Sequence, residues 1–234
     1  NSSPVLIDCA FSGNTAFWGG GICNTASEVS LSNCTLTSNT GYTGAGMRNK
    51  SSTISIDGCV FESNQTDNSG NDSGGGIYNE YSILSLSDCT FVNNNSNYGG
   101  GMYSHYGSQA TLANCSFDAN TGYTKAGGML LVGGSDANCT NCSFTTNTSG
   151  DGGGIHVDGS NATLNECQFT SNTATNGGGI RLIGNSTSSL NDCTFEENTA
   201  SVDGGGIQVH SSAPIISDCV FTQNTAGSGG GGLS

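Results

Sequence analysis

The chain has 234 residues and a formal net charge of −14, because 18 Asp and Glu residues outnumber only 4 Lys and Arg. This charge argues against binding to nucleic acid or to an anionic membrane surface, since both attract basic proteins. Hydrophobic residues make up 33% of the sequence, and no apolar stretch approaches the length of a membrane span. We interpret the acidity as a means of keeping like-charged molecules apart, in preference to a specific role in cation binding.

A pattern of four fixed positions recurs nine times along the chain. Successive Cys residues of the pattern are 25 to 30 residues apart, at Cys9, Cys34, Cys59, Cys89, Cys115, Cys142, Cys167, Cys193 and Cys219. A Phe or Leu follows two positions later, and an Asn follows five positions later, at Asn14, Asn39, Asn64, Asn94, Asn120, Asn147, Asn172, Asn198 and Asn224. A triplet of Gly or Ala then precedes an apolar residue, at Ile22, Met47, Ile77, Met102, Met129, Ile155, Ile180, Ile207 and Leu233. A fixed period in this range indicates a solenoid or a propeller.

Apolar and polar residues alternate around each Cys, which predicts β-strands. In the second repeat the apolar set is Val29, Leu31, Cys34 and Leu36. We predict three short strands per repeat, one at the Gly triplet, one before the Cys and one after it. About 26 residues with three strands suit one coil of a parallel β-helix, whereas a propeller blade needs four strands and about 40 residues. The predicted fold is therefore an all-β solenoid of about nine coils.

The fixed positions can be explained by stacking each coil on its neighbour at the strand spacing of about 4.8 Å. We expect Cys and Phe to form columns that face the core, and Asn to occupy a turn where it bonds to the Asn above and below. Gly supplies the backbone conformations and the close approach that a tight corner needs. The residues that vary between repeats are then those that face water.

The GGGI and FxxN motifs of the repeats, as at residues 204–207 and 195–198, resemble the GGA(I/L/V) and FxxN repeats of the polymorphic outer membrane protein family. The resemblance covers almost the whole chain and implies a right-handed β-helix of the pectate-lyase-like class. The chain differs from the family pattern in having Gly or Ala at all three triplet positions, and in its column of Cys. The resemblance also implies surface display and adhesion, so we expect an extracellular or cell-surface location.

We expect residues 1–234 to form a single β-helix domain with open, uncapped ends. The sequence opens in the middle of a coil and closes on the first strand of another, so two interpretations fit. The chain is a segment of a longer solenoid, or rods stack end to end through unprotected strand edges. The predicted partners are therefore further copies or neighbouring β-helix segments, with glycans as a further candidate and with neither nucleic acid binding nor membrane insertion.

The 11 Cys residues are an odd number, so at least one thiol is unpaired within the chain. Stacked Cys side chains point in parallel, which disfavours disulfides between neighbouring coils and favours a column of buried thiols. Cys23 alternates outward and is the candidate reactive thiol. Among the N-x-S/T sequons, Asn71, Asn161 and Asn185 lie in loops and are the candidates for glycosylation.

The candidates for acid–base catalysis are the acidic residues that directly precede several of the repeated Cys residues. These are Asp8, Asp88, Glu166, Asp192 and Asp218. No Lys or Arg lies near this column by register, and the three His residues are in scattered coils, so we predict a protein that is not an enzyme. We expect no cofactor. Calcium is the alternative, bridged by Glu166, Asp192 and Asp218 of consecutive coils, although we favour the interpretation of these residues as a solvated acidic stripe.

The aromatic residues outside the Phe column are confined to the first half of the chain. The candidate ligand or contact face consists of Trp18, Tyr42, Tyr78, Tyr98, Tyr103 and Tyr123. Exposed aromatic tiers suit sugar stacking or contact with another chain, but they would also cover the edge of the core under a loop. The predicted function is a non-catalytic extracellular structural or adhesive solenoid in a fibre or surface appendage. The alternatives are carbohydrate binding or polysaccharide processing, and then ice binding.

Overall fold

A computed structural model describes residues 2–67, 70 and 72–234. It confirms an all-β parallel solenoid, in which each coil contributes strands to separate parallel sheets that run along the rod. Across the described residues, no helix is long and apolar enough to cross a membrane. The coils carry four strands in place of the predicted three, and we name the resulting sheets A, B, C and D in the order in which a repeat visits them from its Cys-preceding strand.

The strands have the following bounds. Sheet A contains β1 (Val5–Ile7), β4 (Glu28–Ser32), β8 (Thr53–Asp57), β12 (Ile83–Ser87), β16 (Gln109–Ala113), β20 (Asp136–Thr140), β24 (Asn161–Asn165), β28 (Ser189–Asn191) and β32 (Ile215–Ser217). Sheet B contains β2 (Ala10–Ser12), β5 (Thr35–Thr37), β9 (Val60–Glu62), β13 (Thr90–Val92), β17 (Ser116–Asp118), β21 (Ser143–Thr145), β25 (Gln168–Thr170), β29 (Thr194–Glu196) and β33 (Val220–Thr222). Sheet C contains β6 (Thr40–Gly41), β10 (Gln65–Thr66), β14 (Asn95–Tyr98), β18 (Thr121–Lys125), β22 (Thr148–Asp151), β26 (Thr173–Asn176), β30 (Thr199–Asp203) and β34 (Thr225–Ala226). Sheet D contains β3 (Ile22–Thr25), β7 (Met47–Lys50), β11 (Ile77–Glu80), β15 (Met102–His105), β19 (Met129–Val132), β23 (Ile155–Asp158), β27 (Ile180–Ile183) and β31 (Ile207–Val209).

The strands of sheet C are the ones that the apolar alternation of the sequence does not predict. Its strands follow the repeated Asn and consist of polar and small residues, as in the TATN of β26. Because these segments bury little beyond one small side chain per strand, such as Ala174, the apolar alternation that marks the other strands is missing. The backbone still pairs with the coils on either side, and that pairing is what makes the segment a strand.

The core is a continuous column of stacked, identical side chains. From Phe61 to Phe221 neighbouring Phe rings lie nearly parallel, with centroids 4.5–4.9 Å apart. The six Phe side chains from Phe61 to Phe195 are fully buried. Each buried ring contributes about 1.5–3 kcal/mol from removal of apolar surface, with a further contribution from stacking.

The repeated Asn residues form a hydrogen-bonded ladder along the B-to-C corner, as predicted. Asn94 shows the pattern: its Nδ2 donates to Oδ1 of Asn120 at 3.0 Å and to the carbonyl oxygen of Phe61 at 2.8 Å, and its backbone N–H donates to the same Oδ1 at 3.0 Å. The pattern repeats from Asn39 to Asn198. Each buried amide therefore uses both of its hydrogens and accepts two hydrogen bonds, which satisfies a polar group that would otherwise be costly to bury.

The Gly triplet serves two purposes at the corner between sheets C and D. The first position has a positive φ, for example +66° at Gly152, which favours Gly. At the third position a Cβ on Gly128 would lie 2.5 Å from the carbonyl oxygen of Gly154 in the next coil and 2.9 Å from Cδ1 of Phe144. The absence of a side chain therefore lets neighbouring coils and the Phe column approach this closely.

Two further ladders are present that the repeat pattern alone does not predict. Serines at the D-to-A corner accept a hydrogen bond from the backbone N–H of the preceding coil, as when Ser108 Oγ accepts from Ser82 N at 3.1 Å. A second, shorter Asn ladder lies inside sheet D, where Nδ2 of Asn24 donates to Asn49 and Nδ2 of Asn49 donates to Asn79, both at 2.9 Å. Later coils place apolar residues such as Leu131 in this column.

All eleven cysteines lie in the described part of the chain and are unpaired. Eight are buried, Cys9 and Cys219 are half-buried, and Cys23 is exposed. The buried thiols of the repeated Cys column donate to the carbonyl two residues earlier, as from Cys59 Sγ to Asp57 O at 3.3 Å. Burial raises the pKa of the Cys59 thiol to about 12, which keeps it protonated and a poor nucleophile at neutral pH.

Replacing the central ladder residue Asn120 by Ala is expected to lower the free energy of unfolding by about 3 kcal/mol or more. The change removes the acceptor for the backbone and side-chain N–H groups of Asn94 and the donor to Phe91 O. Urea denaturation followed by circular dichroism measures the effect, with Asn138→Ala at an exposed site as the control. Equal midpoints for the two variants would contradict the role of the ladder.

Iodoacetamide labelling of the native protein, read out by peptide mass spectrometry, is expected to modify Cys23 rapidly and the half-buried Cys9 and Cys219 more slowly. The eight buried thiols should react only after unfolding, because burial shields them from the reagent. A Cys23→Ser variant identifies the rapid phase. Rapid native labelling at Cys115 or Cys142 would show that the core is more open than the structure indicates.

Candidate contact face

The outward side of sheet D brings aromatic, basic and imidazole side chains together, and we call it the D face. Its first outward column contains Cys23, Arg48, Tyr78, Tyr103, Leu130, His156, Arg181 and Gln208, which pair in register. The second column ends each strand and includes Thr25, Lys50, Glu80, His105 and Asp158. Every other sheet presents mainly Ser, Thr, Asn and acidic residues to solvent, so the D face is chemically distinct.

Arg48 lies at the centre of the aromatic part of the D face. Its guanidinium carbon is 5.0 Å from the ring centroid of Trp18 and 5.7 Å from that of Tyr78, which are cation–π distances. Its Nη2 forms an ion pair with Oε2 of Glu80 at 2.8 Å, and Nζ of Lys50 lies 3.1 Å from Oε1 of the same carboxylate. Arg48 is therefore held between two rings and a carboxylate, and it is only 7% exposed.

The tyrosines of the D face form a stack next to Arg48. The rings of Tyr78 and Tyr103 are 5.2 Å apart and nearly parallel, and the Tyr103 hydroxyl lies 3.2 Å from Nδ1 of His105. Burial, and then the Glu80 charge, raises the pKa of Tyr78 to about 12. Burial also raises the pKa of Tyr103 and lowers the pKa of His105. Both phenols therefore remain protonated at neutral pH and can donate hydrogen bonds.

The first coil adds an aromatic cluster at the edge of the D face. Phe17 stacks on Tyr42 with centroids 4.9 Å apart, and it contacts Trp18 edge-on at 5.4 Å. More than half of the surface of Phe17 and Trp18 is exposed. This cluster continues through Arg48 into the tyrosine stack, so the aromatic residues form one band along the first four coils.

The structure brings together four of the six predicted contact residues. Trp18, Tyr42, Tyr78 and Tyr103 belong to the aromatic band described above. Tyr98 and Tyr123 lie in β14 and β18 of sheet C, and neither is in a ring contact among the described residues. The pattern did not identify Arg48, Glu80, Tyr81, His105 and Tyr106 as members. The sequence did contain a signal for four of them. Glu80–Tyr81 and His105–Tyr106 stand at the same distance after the Gly triplet in successive repeats, 25 residues apart.

The cations of the chain gather around the D face. All four, Arg48, Lys50, Lys125 and Arg181, form ion pairs with only three carboxylates, those of Glu80, Asp151 and Asp158. These seven groups have a formal balance of +1. The other 15 of the 18 acidic residues lie outside these ion pairs and give the rest of the rod its negative charge. Another negatively charged surface is therefore repelled less by the D face than by the rest of the rod.

His156 occupies the outward column but is fully buried. The chain turns closely over it, since a Cβ on Gly152 would lie 2.8 Å from the His156 Cβ. Neither ring nitrogen has a hydrogen-bond partner among the described residues. Burial, together with the nearby charges of Lys125 and Arg181, lowers the pKa of His156 to about 3, so the imidazole is neutral in the folded protein.

Comparison with known protein families agrees with this geometry. The family model described as the right-handed beta helix region matches residues 22–189 and 148–233, which together span most of the chain. The chain belongs to the right-handed β-helix family. The repeat of the Chlamydia polymorphic membrane protein matches residues 8–25, which include the first Cys, Phe, Asn and Gly triplet. No curated protein matches the chain.

These matches confirm the resemblance to polymorphic membrane protein repeats that the motifs indicate. They suggest a surface-exposed β-helix protein. The handedness of the helix follows from the family, and the parallel register of all four sheets agrees with it.

The acidic residues proposed as a calcium site in this β-helix protein are not gathered into a metal-binding group. Glu166, Asp192 and Asp218 occupy the corner between sheets A and B, each with a positive φ of 52–55° and an exposed side chain. Within the described residues, no group of three or more His, Cys, Asp and Glu side chains could hold a metal ion. The corner places one carboxylate per coil in solvent, where nothing makes them converge.

The sequon residues differ in their surroundings. The prediction that Asn161 lies in a loop is wrong, because this residue begins β24 and pairs with the neighbouring coil. It is half-buried, and its Oδ1 accepts hydrogen bonds from the backbone N and Oγ1 of Thr187 at 2.8 and 2.9 Å. Asn185 is exposed at a corner with a φ of +65°. Asn71 lies outside the described residues. Of the two described sites, Asn185 offers the freer amide, and both remain predictions.

The buried His156 is expected to make the β-helix less stable in acid. The unfolded chain binds a proton at this residue below its ordinary pKa of about 6.5, whereas the folded chain does not until about pH 3. Stability is therefore lost as the pH falls from about 6.5 towards 3, by about 1.4 kcal/mol for each pH unit. Urea denaturation at pH 6.5 and pH 5 measures the loss.

The matched variant for this measurement is His156→Leu, because Leu130 fills the same column one coil earlier. The variant should lose about 2 kcal/mol less than the native protein between these pH values. Parallel losses in both proteins would assign the acid sensitivity to other groups.

Proposed function

We propose that this chain is a non-catalytic structural and adhesive β-solenoid at the cell surface, with the D face as its contact face. The observation that carries the proposal is the segregation of side chains around the rod. The exposed aromatic band and all four cations lie on or beside sheet D, while the other sheets present mainly polar or acidic residues with scattered exposed apolar side chains such as Ile215 and Val220. Trp, Tyr and Arg are the residues that most often carry binding energy at protein contacts.

The rest of the rod suits a load-bearing or display role in a fibre or surface appendage. The Phe column and the buried Asn ladder extend through all the central coils, and each coil bonds to both of its neighbours. A scaffold of this kind holds surface side chains at fixed spacings of about 4.8 Å along the axis. Residues on the D face are therefore presented on rigid strands, which reduces the entropy lost on binding.

A non-catalytic role is supported by the separation of acidic and basic groups. The acidic corner between sheets A and B is on a different part of each coil from the cations, which are already engaged in ion pairs with Glu80, Asp151 and Asp158. Polysaccharide cleavage by acid–base chemistry requires such groups to converge on one bond. Release of reducing ends from a panel of polysaccharides by the purified protein would contradict this part of the proposal.

Adhesion is tested with fluorescent beads that carry the protein and are applied to cultured epithelial cells and to bacterial cell-wall preparations. We expect the native beads to adhere to at least one surface, and Trp18→Ala to reduce adhesion by about tenfold because an exposed aromatic anchor is lost. The matched control is Val220→Ala on sheet B, since Trp18 and Val220 are 53% and 55% exposed. Native beads that adhere no better than albumin-coated beads, or equal losses in both variants, would overturn the proposal.

A further inference from the structure

The corner between sheets D and A holds two tyrosines in an unusual backbone conformation. The residues at this corner have positive φ in successive coils and are Ala26, Ser51, Tyr81, Tyr106, Gly133, Gly159, Gly184 and Ser211. Bulky side chains rarely adopt this region, and the other coils use Ala, Ser or Gly there. Tyr81 and Tyr106 have φ values of 51° and 54°, yet they are 57% and 46% exposed. A ring that is both strained and exposed serves the core poorly, and such outliers cluster at ligand sites.

The two rings form a short ridge with one uncovered end. Tyr106 stacks on Tyr81 with centroids 5.0 Å apart and on His105 with centroids 3.6 Å apart, and both pairs are nearly parallel. Tyr81 stacks on Tyr106 alone among the ring contacts of the described residues. The preceding corner position is Ser51, which has no ring to cover the other face of Tyr81. The change from Ser51 to Tyr81 therefore leaves one face of the Tyr81 ring open towards the preceding coil. We call this open ring face the aromatic step.

A groove spans the three coils before this step. It has a volume of about 290 Å³, and its lining includes Ala26, Ser27, Glu28, Ser51 and Thr53. Thr53 pairs in register with Ile83, two residues after Tyr81, so the groove runs up to the coil that carries the step. Hydroxyl groups and one carboxylate line it.

The ion pair between Lys50 and Glu80 lies on the opposite side of the corner from the groove. Lys50 directly precedes Ser51, and Glu80 directly precedes Tyr81. The Lys50 side chain is 43% exposed, so it can still donate to a molecule on the step. The step is thus bordered by donors and acceptors on both sides of one open aromatic face.

We propose that Tyr81 and the groove before it bind a neutral oligosaccharide, with one sugar ring stacked on Tyr81 and its hydroxyls bonded to the groove residues. A pyranose has an apolar C–H face and a polar rim, which matches an open ring flanked by Ser, Thr and Glu side chains. The inference rests on the proposed adhesive function and gives it a ligand class. It also explains why Tyr occupies a corner where the backbone favours Gly.

Other ligand classes fit the step less well. An anionic ligand would find only Lys50, which is paired with Glu80, on a chain of net charge −14. A cationic ligand would meet a single open ring, which does not form the cage of several rings that cations prefer. A protein partner needs about 800 Å² on each side, whereas the exposed apolar residues at this corner are Tyr81, Ile83 and Tyr106.

The test is binding of the native protein to an array of neutral, sialylated and sulfated oligosaccharides, followed by saturation-transfer NMR with the best neutral glycan. Tyr81→Gly removes the step while supplying the residue that the corner conformation favours. We expect this variant to lose binding by about tenfold or more without a fall in Tm. The control is Tyr123→Ser, which removes a tyrosine that is 54% exposed on sheet C.

The outcomes separate this inference from the proposed function. Absence of neutral-glycan binding, or binding that survives Tyr81→Gly, overturns the inference. If protein-coated beads still adhere to cells in that case, the adhesive function stands with a different ligand. Preference for sialylated or sulfated glycans would likewise overturn the neutral class. Bead adhesion should be lost after periodate treatment of the cells and also with the Tyr81→Gly variant. This result supports both the glycan ligand and the adhesive function.

Discussion

The rest of the structure depends on one constraint, which is that each inward side chain stacks on the same kind of side chain in the next coil. A parallel solenoid brings each residue against its counterpart in the next coil, so any inward position must tolerate a copy of itself at about 4.8 Å. Phe satisfies this condition by ring stacking, and Asn by an amide that both donates and accepts. A charged residue could not, because it would meet the same charge above and below. The repeated Phe and Asn are thus a consequence of the architecture.

The same rule explains where the surface can vary. Outward positions also stack, but solvent screens their charges and leaves room for different side chains. The D face uses this freedom by placing Arg48 between two aromatic residues and by alternating Lys50, Glu80 and His105 down one column. Chemical diversity is added there without a change to the core.

Sequence reasoning reached the fold because inward residues are the same type in every repeat, whereas it reached the contact face only in part. Sheet C was missed because β26 and its neighbours pair through backbone without an apolar face. Alternation along β23 places His156 on the outward side, yet the turn at Gly152 covers it. Tyr81 and Tyr106 lie in a corner outside the apolar alternation, where their equal spacing after the Gly triplet is the sequence signal and their φ angles and exposure distinguish them in the structure.

The aromatic band is confined to the first four coils. The residues that make contacts are therefore independent of the number of coils that sets the length of the rod. Coils bond only to adjacent coils, so duplication or loss of a repeat in the second half would leave Trp18, Arg48 and Tyr81 in place. Each such event would move the band by about 4.8 Å relative to anything joined beyond the last coil. Reach can therefore evolve in whole-repeat increments while specificity stays constant.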